Sequence, residues 1–191
     1  GYTDDGNIGA TWVFTRTAGV WSQQGGKLVG TGYVGTPNQG FSSSISSDGD
    51  NIVVGGNSDN SGNGAVWVFT RTAGVWTQQG GKLVGTGNTG AASQGTSVSI
   101  SGDSNTLCIG GYTDNGNIGA TWVFTKTAGV WTQQGGKLVG TGNTGTSFQG
   151  AEAAVELDYY GNTLVVGGSG DNSSMGALWI FTRSGGIWTQ Q

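Results

Sequence analysis

Histidine is absent from this 191-residue sequence, and cysteine, proline and methionine occur once each. Without His, nucleophile activation of the Ser-His-Asp or Cys-His kind is excluded, together with the commonest general base and the commonest metal ligand. A lone Cys108 excludes an internal disulfide framework, and it leaves both oxidising and reducing compartments open. Charge is equally scarce: seven Lys and Arg stand against eleven Asp and Glu, for a net charge of −4. The basic residues are spread one or two per stretch, so no basic stripe exists to neutralise a phosphate backbone and no nucleic-acid partner is expected. No apolar run approaches the ~20 residues that cross a bilayer, so membrane insertion is not expected either.

What the chain has instead is glycine and tryptophan, 41 and eight residues. The stretch "WVFTRTAGVWTQQGGKLVGTGNTG" at Trp67 recurs at Trp122 with one Lys for Arg, appears at Trp12 as "WVFTRTAGVWSQQGGKLVGTG", and begins again at Trp179 as "WIFTRSGGIWTQQ". The leading tryptophans are 55, 55 and 57 residues apart, and each is followed nine residues later by a second, at Trp21, Trp76, Trp131 and Trp188. A period of this size signals a solenoid, a propeller or an array. The two extra residues of the last interval fall between Gly150 and Asn162, which the spacing places in a hairpin.

Each repeat reads as four short strands separated by turn residues: a at 96–101, b at 106–111, c at 120–126 and d at 130–140. Glycine every few residues, at about 1 kcal/mol each in a helix interior, argues against helix. Strand b is nearly all apolar, and c has Trp122 and Phe124 on one face with Val123 and Thr125 on the other, so both faces of the sheet need cover. Four-stranded units with two buried faces define an all-β fold, a β-propeller with small-residue a strands near its axis. The chain is one repeat domain: a partial repeat over 1–32, then repeats at roughly 33–87, 88–142 and 143–191.

The segment "QGTSVSISGDSNTLCIGGYTDNGNIGATWVFTK" resembles the FG-GAP repeat of integrin-α-type β-propellers, with "IGG" at 109–111 in place of its Gly-Ala-Pro and "GATWVF" at 119–124 for its Gly-Ala-Val-Tyr-Val-Phe-like strand. The resemblance covers three repeats and the start of a fourth, and it implies a non-enzymatic module, extracellular or on the cell surface, that binds protein or glycan ligands. Gln39, Gln94 and Gln149 replace the Phe of the motif. The calcium loops of the family are reduced to "SSDGDN", "SGDSN" and "LDYYGN", too few oxygen ligands for a cation that takes six to eight, so no cofactor or metal is expected.

Counting strands gives four c/d pairs and three a/b pairs, 14 strands or about 3.5 blades. Two copies would hold six a/b and eight c/d pairs, which does not close a regular seven-bladed ring. The expectation is therefore part of a longer propeller, or a chain whose open ends are completed by neighbours.

Several residues invite a chemical reading. "GTGNTG" at Gly85–Gly90 matches the dinucleotide fingerprint, as do Gly30–Gly35 and Gly140–Gly145, but each leads into a strand rather than a helix and reads as a turn. Cys108 aligns with Val53 and Val165 and reads as a small buried hydrophobe. Glu152, Glu156 and Asp158 share one face by strand parity and could in principle act as an acid and base, though a solvated or channel-facing patch fits them better. On one rim, Arg16, Arg71, Lys126 and Arg183 are set against Asp48, Asp50, Asp103 and Asp158 as surface ion pairs.

The opposite rim carries the b–c and d–a loops, and there the repeats differ most. Candidate ligand contacts are Asp4 and Asp5, Asp59 and Asn60, Asp114 and Asn115, and Asp171 and Asn172, with Asx turns as the plainer reading of each. The outer-strand Trp76 and Trp131 are candidate stacking surfaces for sugars. The leading expectation is a binding module working through that rim, partnered by a protein or a glycan. The alternative is a structural protein in which near-identical repeats build a homo-oligomer, fibre or sheath through open ends.

Overall fold

In the computed structural model, which describes all 191 residues, the chain folds into a two-stranded hairpin followed by three four-stranded antiparallel sheets. The hairpin is β1 (Phe14–Thr17) and β2 (Val20–Gln23). The first sheet is β3 (Ser42–Ile45), β4 (Asn51–Gly56), β5 (Ala65–Thr72) and β6 (Val75–Gln78). The second is β7 (Ser97–Ile100), β8 (Thr106–Gly111), β9 (Ala120–Thr127) and β10 (Val130–Gln133), and the third is β11 (Val155–Leu157), β12 (Thr163–Gly168), β13 (Ala177–Ser184) and β14 (Ile187–Gln190). Strand order within each sheet follows the chain. These are three and a half blades of a β-propeller, with β3, β7 and β11 side by side as inner strands.

Register is the same in every blade: Val54 faces Trp67, Ile109 faces Trp122 and Val166 faces Trp179. Two-residue turns close the outer hairpins, with positive φ at both Ala73 and Gly74 (50° and 81°) and again at Ala128 and Gly129 (49° and 81°). That left-handed pair is what the right-handed twist of the flanking strands selects. The outer strand is shorter than predicted: β10 stops at Gln133, Gly135 turns at φ 73°, and only a single bridge, Leu138 to Thr121, continues toward residue 140. Short turns at Asp4–Asn7, Asp59–Gly62, Asp114–Asn117 and Asp171–Ser174 are the only helical features, and each contains two consecutive left-handed residues, such as Asn60 and Ser61 at φ 48° and 58°.

The core is not one mass but three layers, each between neighbouring sheets. Val13, just before the hairpin, packs with Val54, Trp67 and Phe69; Val53, Val66 and Val68 pack with Ile109, Trp122 and Phe124; Cys108 and Val123 pack with Val166, Trp179 and Phe181. Every interior sheet therefore uses both faces, as the apolar runs required. Burying an indole of about 200 Å² contributes on the order of 5 kcal/mol, so Trp67, Trp122 and Trp179 dominate their layers. Each is clasped between two glycines: a Cβ on Gly85 would lie 2.2 Å from the Trp122 ring and one on Gly111 would lie 2.8 Å from its far edge. The indole N–H donates to the Thr86 carbonyl at 2.8 Å.

The Gln residues in the Phe position of the resembled motif have a structural reason. Gln39, Gln94 and Gln149 are fully buried. Gln94 Oε1 accepts from the Gly85 N–H at 2.6 Å while its Nε2 donates to the Gly85 carbonyl at 2.9 Å, and the other two make the same pair with Gly30 and Gly140. The "GTG" stretches thus supply backbone to a buried amide, and strands follow them as predicted.

Candidate functional site

On the b–c/d–a rim the aspartates face inward. Asp59 is buried; its Oδ1 accepts the Val34 N–H at 2.7 Å and its Oδ2 is ion-paired with Lys82. Asp114 repeats this with the Thr89 N–H at 2.7 Å and Lys137, and Asp171 with the Thr144 N–H at 2.7 Å. Asp4, half-buried, pairs with Lys27, whose ammonium is held above its ordinary pKa chiefly by the hydrogen bond to Asp4. Each of these three ion pairs joins residues 23 apart.

The sequence reading of Asp59 and Asp114 as ligand contacts is corrected by this burial, whereas Asp171 keeps Oδ2 without a partner. Both oxygens of Asp59 and of Asp114 are spent on latching the b–c loop to the d–a loop and the lysine beside it. The adjacent Asn60, Asn115 and Asn172 sit at φ 48°, 50° and 47°, a region Asn tolerates well, with their backbone N–H groups bound to Val34, Thr89 and Thr144 carbonyls. Their side chains, and that of Asp5, remain exposed.

Trp76 and Trp131 are also turned into the molecule. Trp131 is buried, Trp76 half-buried, and their indole N–H groups donate to Gln24 at 3.0 Å and Gln79 at 3.2 Å of the preceding repeat. Arg71 and Lys126 lie over the two rings, 5.4 and 5.3 Å from the centroids. Neither ring offers a free face for sugar stacking. On that rim the expected ion-pair series reduces to one, Arg71 with Asp50 at 2.7 Å. Lys126 stacks on Trp131 instead, and Arg183 reaches the Asn162 and Gln134 side chains. Asp48, Asp103 and Asp158 cap their own turns, for example Asp48 with the Asp50 N–H at 2.9 Å.

The inner strands line a concave surface. Ser42 Oγ donates to the Gly95 carbonyl at 2.7 Å and Ser97 Oγ to the Gly150 carbonyl at 2.8 Å, while Ser44 and Ser99 accept backbone N–H groups of the next inner strand. These hydroxyls stitch adjacent blades and leave a cleft of about 560 Å³, lined by Tyr2, Phe41, Ser43, Glu152 and Glu156 among others. A second hollow of about 340 Å³ beside it shares Thr96 and Glu152 and adds Tyr112 and Phe148. Tyr2 packs on Phe41 and Tyr112 on Phe148, with centroids 5.5 and 6.1 Å apart.

The two-residue insertion belongs to this cleft. Glu156 pairs with Val165 just as Ser99 pairs with Cys108, so the extra residues precede β11 and do not lie in the a–b hairpin. They form an added turn over 151–154, closed by Ala154 N–H to the Ala151 carbonyl at 3.1 Å, with Ala153 at φ 53°. Because β11 spans only Val155–Leu157, the predicted common face of Glu152, Glu156 and Asp158 is broken. Glu152 and Glu156 line the cleft, whereas Asp158 binds the Asn162 and Thr163 N–H groups in its turn. Parity could not reveal this, because the insertion changes the register between 152 and 156.

Cys108 is buried, as its alignment with valines predicted, and burial pushes its thiol pKa far up, so no thiolate is available.

No protein-family model matches the chain, and no curated protein matches it by sequence. Among solved structures the chain is similar to TolB from Acinetobacter baumannii, at 12% identity and a TM-score of 0.47, over 95% of this chain and 37% of that one. It is similar also to a protein assigned as TolB from Agrobacterium tumefaciens, at 13% identity and a TM-score of 0.47, over 90% of this chain and 49% of that one. The chain thus spans less than half of either structure, and a likeness at this level says nothing of what this chain binds.

Proposed function

We propose that this protein is a non-enzymatic β-propeller binding module, extracellular or displayed on a cell surface, that takes a protein or glycan ligand in the inner cleft. The observation that carries this reading is the turn at 151–154, the one place where the repeat is interrupted, which sets Glu152 beside Glu156 in the cleft. Rigid blades with one irregular, concave and polar feature are what recognition needs. The charged groups lining the cleft are both carboxylates, and Tyr2 and Phe41 add aromatic surface. Such a lining suits an amine- or guanidinium-bearing protein segment or a hydroxyl-rich sugar.

Non-enzymatic action is supported by the want of histidine and by the sealed thiol of Cys108. The test is calorimetric titration of a glycan panel and of Lys- and Arg-rich peptides against the wild-type chain and the double variant Glu152→Gln/Glu156→Gln. At least a tenfold loss of affinity in the variant is expected, with Tyr2→Ala weakening sugars more than peptides. Equal affinity for wild type and variant removes the cleft as the site.

A further inference from the structure

Beside the inner cleft, the hollow of about 340 Å³ is walled by Thr96, Tyr112, Phe148, Ala151, Glu152 and Ser169, all on the sheets β7–β10 and β11–β14 or on the loops beside their inner strands. The two aromatic residues there are not required by the blade. Tyr112 stands where the preceding repeat has Asn57 and the following one Ser169, and Phe148 stands where the two preceding repeats have Asn38 and Ser93. The backbone at these last three positions is left-handed, with φ of 58° at Asn38, 52° at Ser93 and 53° at Phe148. Asn fits that region readily, whereas a bulky aromatic there is an outlier that its surroundings must hold in place, a condition that clusters at binding sites. Phe148 is held against Tyr112, with ring centroids 6.1 Å apart, and against Gly170, where a Cβ would lie 2.2 Å from its ring.

The electrostatics of the hollow are one-sided. Glu152 lines both the hollow and the cleft, and Glu156 lines the cleft alone. Neither carboxylate takes part in an ion pair, and no Lys or Arg lines either space. An aromatic wall beside an unpaired carboxylate suits a cation that can stack and donate hydrogen bonds at once. The fold contains its own example: Arg71 lies 5.4 Å from the Trp76 ring centroid while its Nε donates to Asp50 Oδ1 at 2.7 Å. The hollow offers the same two partners, ring and carboxylate, to a guanidinium from outside.

We propose that this hollow receives an arginine side chain of a peptide ligand, its guanidinium stacked on the Tyr112–Phe148 pair and hydrogen-bonded to Glu152, with the peptide continuing into the adjoining cleft past Glu156. The inference rests on the cleft as the ligand site and adds the class of ligand and its anchor. Arginine is preferred to lysine because its planar fork lies flat on a ring and meets a carboxylate with two parallel bonds, whereas an ammonium is a point charge. A neutral sugar could stack on the same rings but would leave the charges of Glu152 and Glu156 uncompensated.

The test is an NMR chemical-shift titration of the full chain, at low ionic strength, with capped Gly-Gly-Arg-Gly-Gly, with the same peptide carrying lysine or citrulline in place of arginine, and with maltotetraose. The arginine peptide should bind at least about fivefold more tightly than the citrulline peptide, which matches it in shape and lacks the charge. Tyr112→Asn and Phe148→Ser each install the residue that the same loop carries in another repeat, so both should keep the wild-type circular dichroism spectrum. Each should weaken the arginine peptide by about fivefold, and Glu152→Gln should abolish the preference for arginine over citrulline. Equal affinity for the arginine and citrulline peptides, full affinity in both aromatic variants, or no binding of any peptide overturns the proposal. If the Glu152→Gln/Glu156→Gln chain still loses a ligand that the aromatic variants keep, the cleft stands and only the arginine anchor falls. Binding of maltotetraose alone also overturns the proposal and leaves the cleft a sugar site.

Discussion

Asp114 and Thr121 lie only seven residues apart, yet they place opposite demands on the surrounding structure. Asp114 has every oxygen engaged, by the Thr89 N–H and by Lys137. Removing it in Asp114→Ala leaves a backbone donor and a half-buried ammonium without a partner, and should cost about 2–4 kcal/mol, read as a shifted midpoint in chemical denaturation. Loss of stability, rather than loss of ligand, is what distinguishes a latch from a contact residue. Thr121 stands where the other blades have Val66 and Leu178, and its buried hydroxyl has no hydrogen-bond partner. Thr121→Val should therefore stabilise the fold by roughly 1 kcal/mol in the same assay, since the methyl replaces an unsatisfied donor at equal volume.

Within a blade, the outer strand holds its neighbour through tryptophan, and the a–b turn holds itself through aspartate. Trp131→Phe gives up the indole bond to Gln79 and part of the Lys126 stacking, so it should destabilise by roughly 1–2 kcal/mol, whereas Trp21→Phe on the uncovered hairpin should change stability by less than about 0.5 kcal/mol. The comparison, made by thermal melts at low protein concentration, separates blade-to-blade bonding from aromatic content.

In the turns, the Ser46 hydroxyl and the Asp50 N–H hold the Asp48 carboxyl below its ordinary pKa. For Asp103, burial pushes upward, but the Ser101 hydroxyl and Asn105 outweigh it, so its carboxyl also lies low. Carboxyls whose folded pKa is depressed stabilise the fold above their unfolded value of 3.8, and that contribution is lost as pH falls through the folded values. The melting temperature should thus fall as pH drops below about 4, and the drop should be shallower in Asp48→Asn/Asp103→Asn.

At the scale of the whole molecule, stability is a sum of layers between neighbours rather than the property of one core. The sheet β7–β10 is covered on both faces, while the hairpin β1–β2 has one neighbour and no inner strands. Hydrogen exchange should follow that order: at concentrations where the chain is a single copy, amides of Phe14–Gln23 should exchange at least tenfold faster than those of β8 and β9. Uniform protection across the chain would mean that the stack opens as one unit.

The period, the four strands per repeat and the apolar faces of b and c were legible in the sequence, because alternation and turn chemistry are local and were written three times over. Burial of Cys108 and of Trp67, Trp122 and Trp179 followed from the same repetition. The direction in which a polar side chain turns was not legible. Asp59 and Asp114 look like loop acids until the Val34 and Thr89 amides and the lysines 23 residues away are brought to them, and Trp76 and Trp131 look like open aromatics until the preceding blade supplies Gln24 and Gln79. The insertion was visible in the spacing, but its effect depended on which strand kept its register, and pairing of Glu156 with Val165 put it at the cleft. The sequence by itself determined what each blade is made of, since strand periodicity and turn residues act over a few positions. Only the tertiary structure decided which acids, amides and indoles are spent between neighbouring segments, because those outcomes depend on contacts between residues from 23 to 54 positions apart.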